Sequence, residues 1–475
     1  MTKKIHKNEP SRLIRFVFYP SVAILFVLSL ATVLVLANGY KPNFRFGKIS
    51  LEKIGMFIIG SHPSDAQVFL NGKYQLNTGY YLFPSKITGL LPGKYNLTVK
   101  KSGYKEWKNN FEIVPGLVSW ANYILLFPEK LNIKQVILPN KVPIAKSQNN
   151  DYWLFDESIP EKTIYNLYKL SDGSVKNMWP ESQAGLLLWQ SKPLLSSATI
   201  SPSSDRVIYA IKNGEITNYI MTDGSGKNLK LIDINAQFTQ SPDQVVWDNF
   251  DNNKIFIKVK TDLYKVNTSS NSLGHAIQTG VNSFYEDING QIYLVVTQLG
   301  RSSISKTDTD GNNLVVLADS IDPQTSYIFA ASTKVDALAY INTATNELWL
   351  MSPTSNDKTI ITKIAKGAKG IIWHKDGKKL GIWGDKYYAR YDFERKKLVS
   401  VSSANDISSL GWYYDDSHFI VSEKGALYIS EFDGNYRVVL SDSAKLISTL
   451  GRVNNDIIFG KEENNTLYSR FVSPY

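Results

Sequence analysis

Apolar positions form one unbroken run near the start of this chain and short alternating runs after it. Residues 16–37 contain no charged side chain. At about 1.5 Å per residue, these 22 positions span about 33 Å, enough for a bilayer core of about 30 Å. The run predicts one transmembrane helix at 16–37, and a signal peptide cleaved after Ala37 is the alternative.

Short alternating runs separated by turn dipeptides fill residues 55–128. The run Ala66–Leu70 alternates like a half-buried strand, and Asn71-Gly72 suits the tight turn of a hairpin. A second alternating run follows Pro92-Gly93. The pattern predicts a compact β-sandwich of six or seven short strands, joined to the apolar run by a juxtamembrane linker at 38–54.

Residues 131–475 contain a repeated pair of strands and no helical period. The pair recurs eight times at intervals of roughly 37 to 55 residues, a spacing typical of a β-propeller. Residues 131–138 lie upstream of the first copy and fit the missing edge of the last one, which would close the ring. The sequence therefore predicts an all-β propeller of eight blades, with seven as the alternative. The first strands of the pairs are at 152–155, 206–210, 254–259, 291–296, 337–341, 379–383, 418–422 and 456–460.

Several short motifs in the small domain point to a known family. They are Pro63-Ser64-Asp65-Ala66, Asn71-Gly72-Lys73, Leu91-Pro92-Gly93-Lys94-Tyr95, and Gly103-Tyr104-Lys105 with Trp107. Together they resemble the PEGA domain family, whose namesake tetrapeptide is matched at Pro63 and Ala66. The family's Gly-x-Thr-Pro turn is replaced here by Leu76-Asn77-Thr78-Gly79. The resemblance implies a non-enzymatic, envelope-associated module of a prokaryote, commonly linked with surface-layer proteins.

The long region also contains motifs of a known repeat. Ser201-Pro202-Ser203-Ser204-Asp205-Arg206 leads into a strand, and Met221-Thr222-Asp223-Gly224 follows it. Looser versions begin at Trp373 and Trp412. These motifs resemble the propeller repeats of TolB-like proteins. Most of the tryptophans, including Trp247, fall near strand starts, where packing between blades is the expected role.

Charge is concentrated at the start of the chain. Residues 1–15 hold five basic side chains and one acidic one, and residues 38–130 hold twelve basic and five acidic ones. The first excess predicts a cytoplasmic basic tail by the positive-inside rule. The second indicates either contact with anionic lipid headgroups or wall polymers, or a solvated surface. Nucleic acid is a poorer partner, because no nucleic-acid-binding motif is present. The absence of cysteine excludes disulfides and thiolate chemistry.

Two sets of residues are candidates for binding. Asp308 and Asp310 precede Gly311 like part of a calcium loop, although an Asp-Gly hairpin turn explains them better. The second set is a cluster of aromatic rings that suits stacking on a sugar or a partner protein. It consists of Tyr80, Tyr81 and Phe83.

No catalytic or cofactor-binding motif is present in the sequence. There is neither a G-x-S-x-G nor an H-E-x-x-H pattern. We therefore predict a single-pass cell-membrane protein with its N-terminus in the cytoplasm. Its extracytoplasmic propeller is predicted to bind an envelope protein or glycan without catalysis. The alternative is a propeller hydrolase or lyase of polysaccharides, which requires a carboxylate pair in the central channel.

Overall fold

The computed structural model divides into two compact units, Met1–Lys130 and Leu131–Tyr475. It describes residues 17–475 except 38, 46–47, 81, 181–193, 224–228, 239, 271, 288, 323–324, 333, 354–358, 443–445, 454, 463–465 and 474–475.

The first unit begins with the helix α1, Tyr19–Ala37. It contains 19 residues rather than the 22 of the predicted span, because Val17 and Phe18 form a wider turn before it. Its apolar side chains are exposed, including Leu25 and Phe26. No helix in the described part of the chain is both long and apolar enough to cross a membrane.

A hairpin follows α1 where the sequence analysis placed a linker at 38–54. Its strands are β1 (Tyr40–Arg45) and β2 (Lys48–Lys53). Pro42 pairs with Leu51, and Phe44 pairs with Ile49. The segment assigned to a linker therefore contains two paired strands, in which apolar residues alternate with charged and polar ones, a strand pattern that the high charge of the segment obscured.

The small domain is a sandwich of seven strands in two sheets, as the sequence predicted. One sheet has the order β6-β3-β9, in which β3 and β9 are parallel, and the other has the order β5-β4-β7-β8. Side chains of both sheets, such as Phe57, Val68 and Trp107, are fully buried between them. The strands are β3 (Gly55–His62), β4 (Gln67–Leu70), β5 (Lys73–Asn77), β6 (Ser85–Leu90), β7 (Gly93–Lys100), β8 (Trp107–Ile113) and β9 (Val118–Leu125).

The second unit consists of consecutive antiparallel sheets that form a β-propeller. In most of these sheets four strands, A to D, follow one another along the chain, and neighbours in sequence are neighbours in space. The third sheet has three strands, and the last takes its outer strand from the start of the unit. The first four sheets are β11 (Ala145–Lys146), β12 (Tyr152–Asp156), β13 (Tyr165–Lys169) and β14 (Val175–Asn177); β15 (Leu194–Ile200), β16 (Val207–Asn213), β17 (Ile216–Asp223) and β18 (Lys230–Asp233); β19 (Gln244–Trp247), β20 (Lys254–Val259) and β21 (Asp262–Asn267); and β22 (Val281–Glu286), β23 (Gln291–Gln298), β24 (Arg301–Asp308) and β25 (Val315–Asp319). A short 3-10 helix, Asn235–Gln237, precedes the third sheet.

The remaining sheets repeat the same arrangement, and the last one closes the ring. Its outer strand is β10, which comes from the start of the unit and pairs with the final strand of the chain, as the sequence predicted for 131–138. The strands are β26 (Tyr327–Ala331), β27 (Leu338–Asn342), β28 (Glu347–Pro353) and β29 (Thr359–Lys366); β30 (Ala368–Trp373), β31 (Lys379–Gly384), β32 (Tyr387–Asp392) and β33 (Lys397–Ser402); β34 (Ile407–Trp412), β35 (His418–Glu423), β36 (Ala426–Glu431) and β37 (Arg437–Ser441); and β38 (Leu446–Val453), β39 (Asp456–Glu462), β40 (Thr466–Phe471) and β10 (Ile133–Val136).

The hydrophobic core of the second unit is divided among the joints between neighbouring sheets. At the closing joint, Trp153 and Phe155 of the first sheet pack against Ile458 and Tyr468 of the last. Separate clusters fill six further joints, from the joint between the first and second sheets to the joint between the sixth and seventh. Each sheet is thus held mainly by its two neighbours.

Candidate functional site

Three tryptophans fasten the A strands of neighbouring sheets. Each ends an A strand and donates its indole N–H to a carbonyl of the preceding sheet's A strand. Trp247 bonds Thr199 at 3.3 Å, Trp373 bonds Ala330 at 2.8 Å, and Trp412 bonds Ile372 at 3.1 Å. The predicted packing role is confirmed, but the rings stand at strand ends, not starts. The sequence does not show whether such a tryptophan ends one strand or begins the next, because turn residues follow it in both cases.

The AB turns continue this connection at one end of the sheets, which we call the AB end. Asn249 in the third sheet donates its backbone N–H to the Glu286 carboxylate of the fourth at 2.8 Å. Asn289 donates from the fourth sheet to the Ser332 carbonyl at 3.1 Å, and the Ser332 hydroxyl donates to the Gly377 carbonyl at 2.7 Å. Polar side chains at this end therefore tie one sheet to the next.

A buried group of ionisable side chains lies in the seventh sheet. His418 is fully buried, and its Nδ1 is 2.7 Å from Asp415 Oδ2. Its Nε2 is 3.7 Å from Glu431 Oε1, on a carboxylate that is also fully buried. Burial alone lowers the pKa of His418, but the two carboxylates outweigh it and raise the pKa to about 10. The ring is therefore an imidazolium at neutral pH.

A second set of charges joins the sixth and seventh sheets beside His418. Lys379 contacts Asp376 of its own sheet at 2.9 Å and Asp416 of the next at 2.5 Å. Arg390 lies 3.3 Å from the centre of the Phe432 ring and donates to the Asp416 carbonyl at 3.4 Å. Charges shared between two sheets in this way fix their relative position.

Three buried carboxylates gather where the third and fourth sheets meet. They belong to Asp248, Glu286 and Asp287. Lys265 contacts Asp248 at 3.2 Å. Burial raises the pKa of Glu286 to about 7; the Asn249 N–H opposes this shift, and Asp248 adds to it. Within the described residues, no three His, Asp or Glu side chains are placed to hold a metal ion.

The aromatic residues predicted to bind a ligand lie in the small domain. Tyr80 and Phe83 close a turn in which the Phe83 N–H donates to the Tyr80 carbonyl at 2.9 Å. Phe83 is 82% exposed and Tyr80 is half exposed. Tyr81 lies outside the described residues. The turn presents an apolar tip at the His62 end of β3, where the Tyr80 ring meets His62 edge-on.

The two candidate calcium ligands, Asp308 and Asp310, are occupied within their turn. Asp308 Oδ1 accepts the backbone N–H groups of Asp310 and Asn312 at 3.0 and 2.8 Å. The carboxylate of Asp310 lies 3.5 Å from Lys265 Nζ. This is the geometry of an Asp-Gly hairpin turn.

The group around His418 is one that sequence reasoning missed. His418 and Glu431 are direct cross-strand partners in the β35–β36 hairpin, whereas Asp415 lies in the preceding turn. The signal in the sequence was Asp415-Asp416-Ser417-His418, an acidic turn followed at once by a histidine that starts a buried strand. Without the register of the hairpin, the pairing with Glu431 could not be inferred.

The comparison with protein families agrees with the description of the small domain. Residues 54–125 match the PEGA domain family, so the small domain is a PEGA domain, as its motifs predicted. No curated protein matches the chain.

Among solved structures, the chain is similar to BamB from Moraxella catarrhalis, with a TM-score of 0.46, 11% identity, and coverage of 72% of this chain and 99% of that one. It is also similar to Sqt1 from Saccharomyces cerevisiae, with a TM-score of 0.46, 10% identity, and coverage of 72% and 98%. The Dos1 propeller gives a TM-score of 0.46 and 9% identity, with coverage of 72% and 95%. The propeller architecture of this chain rests on its own strand order and ring closure.

Proposed function

We propose that this protein is a binding or scaffolding component of a prokaryotic cell envelope, in which the PEGA domain carries an eight-bladed propeller. Each of the eight sheets of Leu131–Tyr475 would be one blade. The proposal rests mainly on the contacts that the buried ionisable residues make. His418, Glu431 and Glu286 are buried, and each contacts a neighbouring strand or turn instead of facing solvent as a catalytic acid would.

The surface proposed to bind a partner is the BC end of the propeller, opposite the AB end. Apolar side chains that are exposed there include two suited to mutation. Leu299, in the turn between β23 and β24, is fully exposed with φ of 51°, and Ile216, the first residue of β17, is 56% exposed. Exposed apolar anchors near turns are typical of protein interfaces.

The test is binding of the purified full chain to cell-wall material, envelope glycans and envelope proteins. Leu299→Glu combined with Ile216→Glu should weaken binding at least tenfold, because a buried carboxylate would replace each anchor. Phe250→Glu is the matched control, since Phe250 is a 57% exposed apolar residue in an AB turn. Equal loss in both variants, or no binding by the wild type, would overturn the proposal. Release of new reducing ends from wall polysaccharide would instead favour a hydrolase or lyase.

We further propose that the chain is attached to the cell membrane through residues 1–37, with both domains outside the cytoplasm. The support is the order of parts in the sequence: five basic residues among the first 15 and then 22 uncharged ones. Full-length protein should sediment with membranes and resist extraction by carbonate. A chain that starts at residue 41 should not, and recovery of the full chain in the soluble fraction would refute attachment.

A further inference from the structure

The PEGA domain carries an exposed apolar patch where β9 begins. The patch, which we call the base patch, surrounds the Pro115-Gly116 turn between β8 and β9. Leu117 and Trp120 are 59% and 54% exposed, although residues of the same strand further on are fully buried. The base patch consists of Val114, Leu117, Val118 and Trp120, all of which are exposed.

The base patch lies beside the point where the chain arrives from α1. The Gly39 carbonyl, two residues beyond the end of α1, accepts the Ile54 N–H at 2.7 Å. The Ile54 carbonyl in turn accepts the Gly116 N–H at 3.0 Å. Two hydrogen bonds therefore link the end of the exposed apolar helix to the turn that presents Leu117.

Lysines border the base patch, and basic side chains outnumber acidic ones in the segment that leads from α1 to it. The Lys53 side chain lies against Gly116, so closely that a Cβ at that glycine would be 2.6 Å from Lys53 Cε. Lys86 and Trp120 are the cross-strand partners of Ile58 on either side, so the three share one face of the sheet. Residues 38–60 contain four basic side chains and one acidic one.

We propose that the base patch docks on the headgroup layer of an anionic lipid bilayer. Tryptophan and leucine beside lysine suit this layer, because the rings enter the acyl boundary while the ammonium groups stay at the phosphates. Docking would hold the PEGA domain against the membrane instead of leaving it free on a tether. This inference rests on the proposed membrane attachment through residues 1–37.

The absence of cysteine allows a direct test on the full chain. One spin label is placed through Leu117→Cys, and a control label through Phe83→Cys, an exposed apolar position at the other end of β3. Each protein is reconstituted into phosphatidylcholine vesicles with or without phosphatidylglycerol. Collision rates with oxygen and with a water-soluble nickel chelate give the depth of each label, and vesicle flotation reports attachment independently.

In anionic vesicles we expect the label at position 117 to be severalfold less accessible to the nickel chelate than the label at 83. In vesicles of phosphatidylcholine alone we expect no such difference. Lys53→Glu with Lys86→Glu should return the label at 117 to water without preventing flotation. Flotation with both labels equally exposed to water would overturn docking but leave attachment standing. Failure to float would overturn both. Dipolar broadening between labels at 117, with little access to lipid, would show that a second copy covers the patch and would also overturn docking.

Discussion

The raised pKa of Glu286 predicts a specific dependence of propeller stability on pH. In the unfolded chain this carboxyl ionises near pH 4.5, and in the folded protein near pH 7. Below pH 4.5 it is protonated in both states and has no effect. Between pH 4.5 and 7 only the unfolded chain loses the proton, so the folded state loses stability as pH rises. Above pH 7 the full cost is present.

The size of the effect on the free energy of unfolding follows from the difference between the two pKa values. At about 1.4 kcal/mol per pKa unit, the two values correspond to about 3 kcal/mol at pH 8. The propeller unit has 345 residues, and about 2.1 cal/mol/K per residue gives an unfolding entropy of about 0.7 kcal/mol/K. Glu286→Gln should therefore raise the Tm at pH 8 by about 4 °C, because glutamine keeps an acceptor for the Asn249 N–H without a charge.

The assay is thermal unfolding of the full chain, followed by tryptophan fluorescence from pH 4.5 to 8.5. The difference in Tm between Glu286→Gln and wild type should be near zero at pH 4.5 and grow across the window. Glu215→Gln, at an exposed turn position, serves as the control and should show no such growth. A difference that is constant with pH would refute the argument, since the variant's effect would then come from packing and not from ionisation.

Two further substitutions test the buried ion pair of the seventh sheet and a joint between sheets. His418→Gln should destabilise the propeller by about 3–5 kcal/mol at pH 6, because it leaves the buried Glu431 carboxylate without its cation. The folded-state pKa of His418 is about 10 against an ordinary 6.5, so the wild type loses this stabilisation as pH rises through that range. An effect of His418→Gln that did not shrink toward pH 10 would contradict the ion pair. Trp412→Phe should lower the free energy of unfolding, measured with urea, by about 1 kcal/mol, because the hydrogen bond to Ile372 is lost. Trp120→Phe, at an exposed site, is the control and should have no such effect. Equal effects of the two substitutions would count against the role of the tryptophans in joining neighbouring sheets.

The B and C strands were the most predictable part of the propeller. The strands β20 and β35, for example, each contain three consecutive apolar residues and are bounded by turns, and both begin where the sequence placed them. The A strands were harder because they are irregular. In β22 the register shifts between Val281 and Ser283, and in β34 it shifts between Ile407 and Ser409. A bulge adds one residue and breaks the alternation on which strand prediction depends.

The polar joints could not be predicted because each one depends on contacts across sheets. Glu286 ends one A strand, and its partner Asn249 follows another, 37 positions earlier in the chain. Both residues have sequence neighbours typical of ordinary turns. Only the packing of one sheet on the next makes one of them a buried carboxylate and the other its donor. The aromatic residues near Tyr80 were easier to identify as a candidate, because three rings on one loop are visible in the sequence without any tertiary contact.

The pairing of β10 with β40 determines when this protein can finish folding. Lys134 lies opposite Arg470, so the closing hydrogen bonds join segments separated by nearly the whole propeller. During synthesis β10 emerges first and has no partner until the last strand has left the ribosome. Contacts of such long sequence separation form late and slowly. A protein cut short before β40 would carry unpaired strand edges, which are templates for aggregation, so the ring can close only after β40 has been made.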